Sequence, residues 1–276
     1  MRLHKFINNK NGLAGVIEAL LLVALVSIII STIQLVYIPE MMEQKEAEHM
    51  DQISNQFSTL KSMIELQAIT NSSAPISTMI TLGSREIPYF ITAKSFGEIS
   101  TIDNSNYKIK TLPASPNFPN GIPLTSIKYE AYNSYFVDQI YSLEGGGIIV
   151  KQPNGESVMR VDPSIYINDE PDLNIEFDLP IIVDVPGKNL TYGFEKCFVR
   201  TNWSKGNNEY MPNINSINIS TQFPNAWNES LHNLLGDNVN YEKGKTYVKI
   251  TKASKDINLN LKYYYIYVQI GHGWIK

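Results

Sequence analysis

The chain has 276 residues and a formal charge of −4 from 23 basic and 27 acidic side chains, with 43% hydrophobic and 18% charged residues. That length suffices for one large or two small domains, and so balanced a charge creates no strong field to steer the molecule to DNA or RNA, so no nucleic-acid partner is expected. Sixteen tyrosines, with abundant Asn, Ser and Ile, bias the chain toward β-strands and polar loops. Cys197 is the only cysteine, which excludes an intrachain disulfide; in "FEKCFVR" it reads as a small buried side chain within a strand.

The first element is the apolar run contained in "NKNGLAGVIEALLLVALVSIII", residues 9–30. From Leu13 to Ile38 only Glu18 is charged at neutral pH, and a helix of that length extends roughly 39 Å, beyond the ~30 Å hydrocarbon core of a bilayer. The Leu, Ile and Val side chains supply roughly −5 to −10 kcal/mol toward insertion, against at most about +3.5 for Glu18. A secretory signal needs an apolar core of only about 7–15 residues and then a small-x-small cleavage site, and this run continues without one. Arg2, His4, Lys5 and Lys10 precede the run, while Glu40, Glu43, Glu46, Glu48 and Asp51 follow it. The positive-inside rule then predicts residues 1–12 in the cytoplasm and everything after about Pro39 exported.

Glu18 admits two readings. Its carboxylate can reach headgroups or water at the cytoplasmic interface. Alternatively it pairs with a neighbouring copy: cleavage after Gly12 would create an α-amino group on Leu13, and an acid a few residues along can meet that amine within a bundle of apolar helices.

"KNGLAGVIEALLLVALVSIII" resembles the leader and helix start of archaeal type IV pilin-like proteins, in which a short basic class III leader ends in Gly before a long apolar helix. "YIPEMMEQKEAEHMDQISNQFSTLKSMI", "KYEAYNSYFVDQIYSLEGGGIIVKQ" and "FPNAWNESLHNLL" are similar to an archaeal group with this leader and a β-rich exported head. The resemblance implies a prepilin peptidase acting at the Gly12–Leu13 bond, membrane lipid around the helix, and homo- or hetero-oligomers with other pilin-like subunits. The sequence departs from the bacterial pattern, where the acid stands fifth in the mature chain. Cutting after Gly12 makes Glu18 sixth, and cutting after Gly15 makes it third.

Pro39 should kink or interrupt the helix, and residues 40–69 carry Met50, Ile53, Phe57, Leu60 and Ile64 at three- and four-residue spacing, which predicts an amphipathic helix. Its apolar stripe must bury against the chain's own head or against a helix of another subunit; Glu43, Lys45, Glu46, Glu48, Asp51, Gln52, Gln56 and Lys61 form the solvated faces. "TNSSAP" at 70–75 ends it. Beyond residue 76 the period is two. Strands are expected near 86–93, 107–112, 125–137, 173–179, 192–200, 213–221, 246–252 and 258–270, with a hairpin at 147–161 around Pro153-Asn154-Gly155. The last strand, apolar on both faces over its second half, belongs inside a sheet. "FPNAWNESLHNLLG" at 223–236 predicts one helix, starting at Pro224 and capped by Gly236.

These elements predict an α+β chain: a basic leader at 1–12, a transmembrane helix at 13–38, an amphipathic stalk at 39–70 and a mainly antiparallel β-sandwich head at 71–276. The head could form two packed halves divided by the "KQPNGES" or "NDEPD" turns.

His4, His49, His232 and His272 are scattered without metal-ligand spacing, and "LEGGGI" at 143–148 lacks the Lys-Ser/Thr of a phosphate loop and reads as a turn or bulge, so no metal, cofactor or catalytic residue is assigned. Asn71, Asn189, Asn202, Asn218 and Asn228 begin glycosylation triplets, close to the number chance gives at this composition; turn positions such as Asn71 and Asn202 suit a glycan best. The leading expectation is a pilin-like surface subunit and not an enzyme. Its alternative is an unprocessed single-pass membrane protein whose head binds a carbohydrate or envelope component. An exported enzyme with a dispersed site is a third.

Overall fold

A computed structural model describes residues 10–84, 95–103 and 106–274, with side chains from residue 14 onward. Leader residues 1–9 and the strand expected near 86–93 lie outside the described residues. The chain opens with helix α1 (Lys10–Thr32), and helical bonding continues through a π-helical segment, Ile33–Tyr37, into α2 (Ile38–Thr70). Pro39 therefore does not interrupt the helix as its chemistry suggests. A proline removes one N–H and crowds the carbonyl four residues back; here the turn before it is widened, with the Ile38 N–H donating to Ile33 O. Asn71, in the left-handed conformation at φ 48°, ends α2.

The head's strands are β1 (Ile76–Thr81), β2 (Phe96–Ile102), β3 (Lys108–Leu112), β4 (Ile122–Pro123), β5 (Ser126–Tyr132), β6 (Ile140–Glu144), β7 (Gly147–Lys151) and β8 (Ser157–Val161). They continue with β9 (Ile165–Asn168), β10 (Leu173–Asp184), β11 (Leu190–Gly193), β12 (Lys196–Ile214) and β13 (Ser216–Ser220). Helix α3 (Pro224–Leu235) then precedes β14 (Val239–Lys243), β15 (Tyr247–Lys252) and β16 (Ile257–Ile270). Among the described residues these form three sheets, ordered β1-β12-β16-β10-β9, β11-β2-β5-β6-β7-β8 and β14-β15-β13-β3-β4. All pairings among the described residues are antiparallel except β10 with β16, so the α+β class with a mostly antiparallel head holds. The "KQPNGES" and "NDEPD" turns each join neighbouring strands of one sheet, β7 to β8 and β9 to β10.

The first sheet is a wall shared by two cores. On β16, Ile257, Leu259, Leu261 and Tyr263 enter a core with α3 and the third sheet, whereas Tyr264, Ile266, Val268 and Ile270 enter a second core with α2 and the second sheet. Alternate residues of a strand share a face, so the change of parity at Tyr263/Tyr264 puts the two cores on opposite faces and at opposite ends of the sheet. β10 makes the same change between Ile181 and Ile182. This is why "KYYYIYVQI" is apolar on both faces, and why β16 sits at the centre of its sheet.

Met50, Ile53, Phe57, Leu60 and Ile64 are all buried in the second core, so the apolar stripe of α2 packs on the chain's own head. Phe57 meets the rings of Tyr129 and Tyr141 at centroid distances of 6.5 and 5.9 Å.

Candidate functional site

Every residue from Ala14 to Tyr37 is solvent-exposed, and this stretch is long and apolar enough to cross a membrane. Among the described residues no head side chain covers it. An apolar surface of this extent has no place in water and requires lipid or other apolar helices. Gly12 and Leu13 stand in the first turn of α1, and Glu18 lies exposed within the apolar stretch, with no side-chain partner among the described residues.

At Ile38 the environment changes. Ile38 and Met42 are buried against the head, and Glu46, expected on a solvated face, is fully buried. Its carboxylate accepts three backbone N–H bonds, from Ser134 at 3.0 Å, Tyr135 at 2.7 Å and Phe136 at 2.6 Å. A buried carboxylate needs this compensation. The turn it holds is braced internally, with the Asn133 N–H on Asp138 Oδ1 and Asn133 Nδ2 on Val137 O. One turn further, His49 Nε2 donates to Thr81 O at 2.9 Å, leaving Nδ1 buried and unpartnered, and burial holds its pKa below the ordinary value. Gln56 bonds both the N–H and the hydroxyl of Thr81, and Gln67 donates to Ala74 O and Thr201 O. Polar residues flanking the stripe thus grip head backbone. Nothing local in the sequence marks them, because their partners are main-chain groups 7 to 134 positions away.

Between α2 and the β7–β8 hairpin lies an open groove of about 530 Å³, lined by Asp51, Phe136, Tyr141, Glu156 and Arg160 among others. It combines aromatic walls with charges of both signs. Among the described residues Arg160 has no ion-pair partner.

A second buried acid stands in the head's interior. Gly145 and Gly146, with φ of 58° and 84°, form the tight turn joining β6 to β7, and Glu144 just before it is 2% exposed. Its Oε1 accepts from Thr221 Oγ1 at 2.6 Å and from Trp227 Nε1 at 2.8 Å. Burial pushes this carboxyl up to about 7, against the opposing pull of both hydrogen bonds. So enclosed an acid presents no surface to a substrate; it ties the turn to α3. No group of three or more His, Cys, Asp or Glu placed to hold a metal occurs among the described residues.

Of the glycosylation triplets, Asn71 and Asn189 are exposed outside regular elements, whereas Asn228 is half-buried in α3. Asn202 corrects the expectation of a turn: it lies in β12, which runs on to Ile214, and its Oδ1 is buried, as is that of Asn218 in β13. Cys197 is buried in β12, its thiol pushed up by burial. No family model, curated protein or solved structure matches this chain.

Proposed function

We propose that this chain is a pilin-like cell-surface subunit, inserted with its N-terminus in the cytoplasm and its β-rich head outside, processed after Gly12 by a prepilin peptidase, and assembled through its apolar helix. One observation carries the reading: an exposed apolar helix with a single acid, Glu18, runs without a linker into a stalk embedded in a folded head. An anchor needs only the apolar length. An acid inside that length calls for a partner, and the new α-amino group of a neighbouring copy supplies one. The partners are then membrane lipid, the peptidase and other pilin-like subunits, with no cofactor.

Intact-mass measurement of the protein recovered from cells tests the processing. A chain starting at Leu13 is expected, and Gly12→Asp should leave the precursor uncut; a mature chain starting at Met1 or Arg2 refutes cleavage. Surface filaments lost on Glu18→Ala but kept on Glu43→Ala are expected from assembly. The groove beside α2 favours a second reading, in which an unprocessed single-pass protein uses its head to bind a carbohydrate or envelope component. Glycan binding lost on Arg160→Ala, on a chain that keeps Met1, would select that reading.

A further inference from the structure

The apolar helix enters the head with no linker, and this fixes which face of the head stands nearest a bilayer. Tyr37 is the last exposed residue of the apolar stretch and Ile38 is already buried, with helical bonding unbroken between them. At 1.5 Å per residue Glu46 lies about 13 Å further along the axis, and a helical side chain leans back toward the N-terminus. The Ser134–Phe136 backbone held by the Glu46 carboxylate therefore stands within about 10 Å of the end of the apolar stretch. The polar layer of a bilayer is roughly 5–8 Å deep on each side, so one tyrosine side chain spans the remaining distance.

The residues presented there suit that layer. Tyr132 is 49% exposed, Tyr135 38% and Val137 41%, on a turn too well braced to fold away. Tyrosine, apolar in the ring and polar at the tip, concentrates at membrane interfaces. Glu40 and Glu43, exposed on the helix at the same level, disfavour an anionic surface and select neutral or zwitterionic headgroups.

We propose that the 133–138 turn, with Tyr135, Val137 and the adjoining Tyr132, docks into the zwitterionic headgroup layer of the bilayer that the helix crosses, seating the head on the membrane before assembly. This rests on the membrane-spanning reading above. The test uses the full chain in phosphatidylcholine vesicles at low protein-to-lipid ratio, in a Cys197→Ala background, with single nitroxide labels at Leu25→Cys, Tyr135→Cys, Val137→Cys and Lys245→Cys. Lys245 is an exposed residue between β14 and β15 in the third sheet, remote from α2. Nickel chelated on lipid headgroups should relax the labels at 135 and 137 several-fold more than the label at 245, while the label at 25 responds to oxygen dissolved in hydrocarbon. Equal relaxation at 135, 137 and 245 with the label at 25 in hydrocarbon overturns the docking and leaves the spanning helix standing. A label at 25 in water overturns both. Relaxation at 135 by a second labelled copy, without response to lipid-borne nickel, assigns this face to subunit contact and also overturns the docking.

Discussion

Two glutamates on one continuous helix show what separates its halves. Glu18 is exposed among apolar side chains with no partner among the described residues, whereas Glu46 is fully buried with three backbone N–H donors at 2.6–3.0 Å. The chain itself meets the demand of the second carboxylate. Nothing among the described residues meets the demand of the first. The same contrast holds for apolar residues: Val26 is exposed, while Phe57 is enclosed by the head. The stalk half of the helix is therefore part of the head's fold, and the N-terminal half is a surface awaiting an environment.

The sharpest way to break this comparison is to truncate one apolar residue in each half and follow thermal melting of the full chain in detergent micelles. Phe57→Ala should destabilise the head by about 3–5 kcal/mol, because it opens a cavity beneath Tyr129 and Tyr141. Val26→Ala should leave the melting of the head unchanged. An equal loss in both would mean that the N-terminal half also belongs to the folded unit. Next in size is Glu46→Gln, which turns an amide N–H₂ toward N–H donors that the carboxylate accepted. About 2–4 kcal/mol should be lost, and hydrogen exchange at Tyr135 and Phe136 should quicken.

The sequence made the apolar half of this contrast legible and hid the polar half. The stripe from Met50 to Ile64 and the Gly-Gly turn before Ile148 follow from local rules of period and conformation, and each stands where those rules put it. Glu46 and Gln56 read as solvated because a polar residue on a helix face normally is; only the chain's return at Thr81 and past residue 130 converts them into clamps. The strand expected at 192–200 shows only the start of β12, which runs on to Ile214 because bulges at Trp203/Lys205 and Met211/Ile214 let it change face instead of ending. In the candidate site the apolar length and Glu18 are explicit in sequence, while the tyrosine-bearing turn beside them depends on that long-range clamp.

Glu144 sharpens the comparison from a different side, being buried like Glu46 but held by two side-chain donors in place of three backbone ones. Its carboxyl is pushed up to about 7 from an ordinary 4.5, so the folded state holds the proton more tightly than the unfolded chain. The stability linked to that proton is fully present below about 4.5 and is lost as pH rises through about 7. Glu144→Gln, which keeps an oxygen for Thr221 and Trp227, should therefore melt like the parent at pH 4.5. At pH 8 it should be more stable by about 1–3 kcal/mol. A difference that does not vary with pH would show that the carboxyl is not titrating in the interior.

The smallest effect on the head is expected from Glu18→Ala, and this substitution separates the two uses of that acid. Glu18 touches none of the head's described residues, so melting should stay within about 0.5 kcal/mol of the parent. Association in lipid is where the difference should appear. If the carboxylate only reaches headgroups, Glu18→Ala and Glu18→Gln should associate as the parent does, whether or not the leader is present. If it pairs with the α-amino group of a neighbour, association should fall in both variants, but only for chains starting at Leu13, and acetylating that amine on the parent should reproduce the loss. Cross-linking in vesicles, compared between the precursor and the Leu13 chain, measures this directly: the pairing requires two groups, and only cleavage creates the second.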